Sequence, residues 1–311
     1  METESPHQSV LIEEGITGLD IKQNGFYVDG TFGRGGHTRG ILKGLGVDGR
    51  LLVIDKDPEA VKAAERMAAD DSRLIVERGT FAMLQRLIEG RDMMGKVNGV
   101  LLDLGVSSPQ LNDPDRGFSF MNDGPLDMRM DDSSGLPVSQ WLHTASEQDI
   151  TRVLREYGEE RFAKRIARAI VNTRIETPIE TTRQLSDIVS QASPTHDRHK
   201  HPATRTFQAL RIFINNELED LKACLSQILD VLAVSGRLVV ISFHSLEDRI
   251  VKRFIRTHAR GGEFPPGMPV TAQQFKPRLR AIGKAVFPSA EEIERNPRAR
   301  SAVMRIAEKI C

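Results

Sequence analysis

Cysteine is nearly absent from this chain: only Cys224 and Cys311 occur among 311 residues. Neither has a near partner in the sequence, which argues against a disulfide scaffold or a cysteine-based zinc site and fits a reducing compartment. Long apolar runs are missing too. No stretch approaches the roughly 20 apolar residues that a membrane-spanning helix needs. The first residues, with Glu2 and Glu4, lack the basic-then-apolar order of a secretory leader. A cytoplasmic location is the expectation. Net charge is also absent, 43 Lys and Arg balancing 43 Asp and Glu, but the balance conceals an uneven distribution. Residues 161–210 hold nine basic against four acidic side chains, and residues 249–311 hold fourteen against five. Two basic segments in an otherwise acidic chain point to a polyanion-facing surface, and solvated helix faces explain the same pattern.

What is present is the composition of an ordinary globular protein, 39% hydrophobic and 28% charged, with length enough for one large domain and a smaller one. Short apolar runs alternate with helical patterns through the first third, the signature of a parallel α/β sheet. Strands are predicted at 26–28, 51–54, 74–76 and 100–104, with helices starting near Gly36, Pro58 and Phe81. The alternation then stops, and the next buried strand is 237–242. A crossover takes about 30 residues, so most of that gap reads as an insertion. Within it, 148–171 has the pattern of one long amphipathic helix, and Thr181 with Gln184 forms a capping box that opens another. A helix from Thr204 to about Val234 is expected to return to the sheet, 261–290 reads as loop, and 301–306 as a last edge strand. The domain reading is 1–137 and 206–311 for the sheet, with 138–205 as an inserted helical domain.

The first strand runs into Asp29-Gly30-Thr31-Phe32-Gly33-Arg34-Gly35-Gly36-His37. Its glycines allow a tight turn and close approach of a ligand. Thr38 stands where a dinucleotide fingerprint would need its last glycine, and no Gly-Lys-Ser/Thr follows to make a phosphate loop. The second strand ends at Asp55, where an acid reaches ribose hydroxyls; it is also placed as a plain helix-leading acid before Asp57-Pro58. A glycine loop, an acid-tipped second strand and no phosphate-binding lysine favour a ligand with ribose but no phosphates, for which S-adenosylmethionine is the obvious candidate. Phe81 is placed either beside an adenine or at the start of a core-facing helix.

The fourth strand ends in Asp103-Leu-Gly-Val-Ser107-Ser108-Pro109-Gln110. An exocyclic base amine is a poor nucleophile because its lone pair is conjugated with the ring. Acceptors that take both amine hydrogens free that lone pair for attack on a methylsulfonium. Asp103, Ser107 and the backbone around Ser108-Pro109 are such acceptors, although Ser-Ser-Pro is also a common turn.

Strings along nearly the whole chain resemble one family: 29–37, 103–110, Arg116-Gly-Phe-Ser-Phe120, Gly124-Pro-Leu-Asp-Met-Arg-Met130, His201-Pro-Ala-Thr-Arg-Thr-Phe207, Ser242-Phe-His-Ser-Leu-Glu-Asp-Arg249 and Asn296-Pro-Arg-Ala-Arg-Ser301. The family is ribosomal RNA small subunit methyltransferase H (MraW), a cytosine-N4 methyltransferase of 16S rRNA. The resemblance implies a class I, Rossmann-like S-adenosylmethionine-dependent α/β fold with a helical insertion, acting on one cytidine in the decoding region of the small (30S) subunit. It implies cofactor contacts at Gly35, Gly36, His37, Asp55, Phe81, Asp103 and Gln110, and catalysis by Asp103, Ser107, Ser108 and Pro109. The usual Pro-Pro-aromatic ending of base-amine enzymes is Ser108-Pro109-Gln110 here, so the ring that stacks on the base is sought at Phe118, Phe120 or Trp141. Arg116, Arg129, Lys200, His201, Arg205, His244 and Arg249 are candidate RNA contacts. His196, His199 and His201 suggest a metal site, but no cysteine or carboxylate cluster completes one. A second copy of the chain is a further candidate partner. A DNA base-amine methyltransferase and a non-catalytic ribosome-assembly factor are the competing functions.

Overall fold

The computed structural model describes residues 9–194, 201–261 and 276–311. Along them run α1 (Ile12–Leu19), β1 (Phe26–Asp29), α2 (Gly36–Gly44), β2 (Arg50–Asp55), α3 (Pro58–Asp70), β3 (Leu74–Arg78), α4 (Leu84–Glu89) and β4 (Val97–Asp103). Next come the helices α5 (Ser108–Asn112), α6 (Val138–Thr144), α7 (Glu147–Gly158), α8 (Ala163–Glu176), α9 (Thr182–Ala192) and α10 (Thr204–Ile214). The chain continues with α11 (Glu217–Val231), β5 (Leu232–Ser242), α12 (Ser245–Ala259), β6 (Leu279–Ala281), α13 (Ala290–Arg295) and β7 (Val303–Lys309). Two compact units result: one holds the chain through Gly105 together with Leu218–Cys311, the other is Val106–Glu217. The segment 138–205 expected as an insertion falls inside the second unit, which begins directly after the fourth strand.

The first unit is built on a seven-stranded sheet in the order β3-β2-β1-β4-β5-β7-β6. β3, β2, β1, β4 and β5 are parallel, and β7 runs antiparallel between β5 and β6. Alternation along the parallel strands sends Val28, Leu52, Ile54, Leu102 and Val240 into one apolar layer with α11 and α12. It sends Tyr27, Leu51, Val53, Leu101 and Val239 into another with α1, α2 and α3. Both faces are covered, which is why these strands read as continuous apolar runs. Sequence order reverses beside β1, since β2 lies on one side and β4 on the other. The carboxyl ends of those three strands are the place where such sheets bind ligands.

Local signals fix the elements around that place. Asp57 caps α3 by accepting from the Glu59 N–H at 2.9 Å, with Pro58 in the first turn, a cap that contributes about 1 kcal/mol. At the end of β5 the α12 helix, unmarked in the sequence reading, starts with a capping box in which Glu247 Oε2 accepts the Phe243 and His244 N–H groups at 2.8 and 3.3 Å.

Three expectations are corrected. The helix expected over 148–171 is two helices, broken at Gly158 and at Glu159, whose φ is 48°. A Cβ at Gly158 would stand 2.7 Å from the Arg205 carbonyl oxygen, so the glycine lets α7 and α10 pack backbone to backbone. The helix expected from Thr204 to Val234 also breaks, at Asn215-Asn216, and gives way to β5 at Leu232. Asn215 is buried and ties down the loop before α6: it donates to the Met128 carbonyl at 2.7 Å and accepts from the Met130 N–H at 2.6 Å. The strand near 301–306 is not an edge. β6, inside the region read as loop, covers its outer side.

Candidate active site

The tips of three adjacent strands carry aspartates: Asp55 on β2, Asp29 on β1 and Asp103 on β4. Asp29 is fully buried. Its Oδ2 accepts from Thr38 Oγ1 at 2.6 Å and its Oδ1 from the Thr31 N–H at 3.1 Å. Thr38, standing where a dinucleotide fingerprint has glycine, thus anchors the strand tip to α2. Burial pushes the Asp29 carboxyl up to about 6, against the pull of these hydrogen bonds and with the Asp55 charge adding to the rise.

Asp55 takes the Gly33 N–H on Oδ2 at 2.8 Å and the Asp57 N–H on Oδ1 at 2.9 Å. It therefore braces the glycine loop, and each oxygen keeps a further lone pair for a ribose hydroxyl. Its pKa is raised, burial being the main cause. Gly33 has φ 55°, and a Cβ built on it would meet no atom within 4 Å. The space beside Gly33 is therefore open, and its left-handed backbone favours glycine. Gly35 caps α2 at φ 75°, where a Cβ would stand 2.8 Å from Met67 Cε.

Asp103 differs from the other two. Thr31 Oγ1 accepts its backbone N–H at 2.6 Å, but its buried Oδ1 has no hydrogen-bond partner, and Oδ2 lies 3.5 Å from His37 Nδ1. That contact is not an ion pair, because burial lowers the His37 imidazole to about 4 and leaves it neutral. Asp103 is held well above the usual carboxylate range by burial first, and then by the charges of Asp29 and Glu247. An orphaned acceptor in such a place calls for a donor or cation from outside the chain. His37 Nε2 is likewise buried without a partner.

Phe81 opens a short 3-10 turn capped by Thr80 and is buried with Val28, Leu52, Ile54 and Leu84. In this structure it is a core side chain. His244 heads α12; its Nε2 is 3.1 Å from Glu247 Oε1, but neither ring nitrogen has an aligned hydrogen bond. Arg249 is exposed on the same helix. Asp29 and Glu247 were not among the expected site residues. The sequence does carry a signal for Asp29, an acid that ends a strand directly before a glycine loop.

In the second unit Ser107 opens α5, and its N–H is accepted by the buried Gln110 carboxamide oxygen at 2.9 Å. Ser108 and Pro109 form the helix's first turn. Gln110 thus has a capping role. Arg116 donates to the Arg129 and Met130 carbonyls at 3.1 and 2.9 Å. Arg129 forms a two-bond pair with Asp127, Nε to Oδ1 at 2.8 Å and Nη2 to Oδ2 at 2.7 Å. Both arginines spend most of their donors on their own loop. Phe118 is buried in this unit's core. Trp141 tilts against Phe213 at 4.7 Å, and Phe120 stacks on His201 with ring centroids 4.6 Å apart. Arg205 is exposed and reaches the Glu159 carbonyl at 3.4 Å. Lys200, His196 and His199 lie outside the described residues. Among the described residues no three His, Cys, Asp or Glu side chains meet as a metal site, and no helix is long and apolar enough to cross a membrane.

The pH dependence of stability follows from Asp29. A carboxyl whose folded pKa is raised from 3.8 to about 6 binds its proton more tightly folded than unfolded. Its contribution is full below pH about 4 and is lost as pH rises to about 6, roughly 3 kcal/mol in all. Asp29→Asn, which keeps partners for Thr31 and Thr38, is expected to gain that amount on the parent chain between pH 4 and pH 6. Unfolding midpoints of both proteins at pH 4, 5, 6 and 7 check this; parallel curves would show an unshifted Asp29.

A doubly covered α/β sheet with a glycine loop and acid tips beside its switch point is the architecture of a Rossmann-like, S-adenosylmethionine-dependent methyltransferase. Residues 4–310 match the family described as the MraW methylase family, and the chain belongs to it. Solved structures similar to the chain include an rRNA methylase from Clostridium thermocellum (11% identity, 98% of this chain and 97% of that one, TM-score 0.45). Another is an rRNA methylase from Streptococcus thermophilus (11%, 96% and 93%, 0.41). A third is a methyltransferase from Streptococcus mutans in complex with SAH (10%, 96% and 97%, 0.42). The assignment rests on the family match and not on these likenesses.

Proposed function

We propose that the protein methylates the N4 amine of one cytidine in the decoding region of 16S rRNA, with the small ribosomal subunit in the cytoplasm as its substrate. The observation that carries this reading is the orphaned Asp103 oxygen at the tip of β4, an acceptor held ready for an external N–H. The cofactor's residues fit: open space beside Gly33 and spare lone pairs on Asp55 suit a ribose, without a lysine for phosphates. When bound, S-adenosylmethionine supplies an electrophilic methyl on a sulfonium.

In this reading Gly35, Gly36, His37, Asp55, Asp103 and Gln110 hold the cofactor, and Phe81 supports them from the core. The motif from Asp103 through Ser107, Ser108 and Pro109 supplies acceptors that take the amine hydrogens and localise the nitrogen lone pair. Arg116, Arg129, Lys200, His201, Arg205, His244 and Arg249 face the RNA, and the second unit recognises the substrate, read by shape and an extruded base. The Phe120–His201 stack, with Phe120 half-buried against the second unit's core and His201 exposed, is the proposed platform for a base.

The test is radiolabelled methyl transfer to small subunits from cells lacking the protein, with duplex DNA as competitor and mass spectrometry to place the label. One new N4-methylcytidine in 16S rRNA is expected. Preference for DNA would overturn the substrate, and cofactor binding with no transfer would favour an assembly factor.

A further inference from the structure

In the first unit, α12 and the turn after β6 enclose a cleft of about 340 Å³ that none of the strand-tip aspartates lines. Its floor is apolar, with Ile255, Ile282 and Ile306 among its residues, and its rim is basic. Lys252 and Arg256, four residues apart, share one face of α12, with Cβ atoms about 5–6 Å apart, and Arg260 caps the helix's C-terminus and lines the same cleft. Lys284 comes from the turn, which bends at Gly283 (φ 67°). All four are exposed. A fifth cation, Arg305, is already neutralised by Asp248, Nε to Oδ1 at 2.6 Å and Nη2 to Oδ2 at 3.0 Å. No acidic side chain lines the cleft, and no carboxylate among the described residues pairs with the four rim cations.

Cations at a helix C-terminus are favourable in themselves, which accounts for Arg256 and Arg260 near the end of α12. It does not account for Lys252, eight residues into the helix, or for Lys284 on another element. Four unpaired cations around one apolar recess repel each other in the free protein, and a polyanion relieves that repulsion. Phe287, three residues beyond Lys284 in sequence, is not among the cleft's lining but is an aromatic ring left 63% exposed. Basic groups that follow a backbone, beside apolar and aromatic surface for bases, are the recognition chemistry of a nucleic-acid strand.

We propose that this cleft is a docking site for a strand of the RNA substrate, with phosphates on Lys252, Arg256, Arg260 and Lys284 and a base or ribose over the isoleucine floor. The inference rests on the RNA-substrate reading above and adds a contact surface to it. An acidic protein segment is the occupant the test must separate.

The full-length chain and a variant with all four residues changed to Gln are compared for binding a 16S rRNA transcript from about 50 to about 200 mM salt. The variant is expected to bind at least tenfold more weakly, and its slope of log affinity against log salt falls by about 3, roughly 0.7–0.9 for each lost phosphate contact. S-adenosylmethionine affinity by calorimetry stays at the parent value, which reports an intact fold. If the fourfold variant loses that affinity, Lys284→Gln alone on its surface turn is used, with a slope change of about 0.7–0.9 expected. A parent that binds the transcript while the folded variant matches its affinity and slope overturns the cleft assignment and leaves the substrate reading standing. A parent without affinity for the transcript or for small ribosomal subunits overturns both.

Discussion

Asp103→Asn is expected to lower methyl transfer about 10²–10³-fold, the usual cost of removing one preorganised electrostatic partner from an active site. The buried Oδ1 of Asp103 has no hydrogen-bond partner within the chain, so its role begins when a donor arrives. Asparagine matches the shape of the side chain but brings an NH2 group and no negative charge, so it opposes an incoming N–H. The pH profile distinguishes this role from a structural one. Burial and the charges of Asp29 and Glu247 raise the Asp103 pKa, and the side chain accepts fully only when ionised. Turnover by the parent therefore climbs with pH through that raised value, well above the range of an ordinary carboxyl. The Asn variant lacks that limb. Single-turnover rates from pH 5 to pH 9 measure both, and a variant with the parent's rate and profile would exclude Asp103 from the chemistry.

Asp55→Ala is expected to weaken S-adenosylmethionine binding by about 1.5–3 kcal/mol for each charged hydrogen bond lost, or roughly ten- to a hundredfold. The structure adds a second component. Asp55 also holds the Gly33 and Asp57 N–H groups, so alanine frees the glycine loop as well as removing the ribose acceptor. Asp55→Asn keeps one carbonyl oxygen for the loop and is expected to fall between alanine and the parent. Calorimetry of the three proteins separates the effects, and equal affinity in all three would remove Asp55 from the ligand site. Unfolding midpoints should show alanine less stable than asparagine, because alanine leaves both the Gly33 and the Asp57 N–H without an acceptor and asparagine still serves one of them.

Much of the first unit was legible in its residues because buried parallel strands leave contiguous apolar runs. Phe26–Val28 and Leu51–Ile54 lie inside the observed β1 and β2. The Asp57-Pro58 start of α3 and the Thr181 capping box before α9 carry their own local chemistry. Helix breaks were illegible. Gly158 and Asn215 interrupt helical patterns for reasons of packing and hydrogen bonding across elements, and such partners leave no local trace. β6 was hidden because three residues beside a partner strand are too few to show alternation. At the strand tips, motif spacing points to Asp55 and Asp103, and Asp29 carries a local signal as an acid before a glycine loop, whereas Glu247 enters only through its charge near Asp103, which coordinates display. Arg116 reads as a free cation in sequence because it meets backbone carbonyls, which every residue has, whereas Arg129 has a carboxylate partner two residues away, Asp127.

β4 and β5 are adjacent in the sheet, yet the whole of Val106–Glu217 separates them in sequence. Joining them from a fully disordered chain means closing a very long loop before any pairing is formed, an entropic cost that slows the search more than it lowers final stability. Val106–Glu217 has an apolar core of its own. If that core condenses first, it draws its two ends together and the strands meet across a short tether. A cavity such as Leu154→Ala in that remote core should therefore delay completion of the sheet, although Leu154 is no part of it.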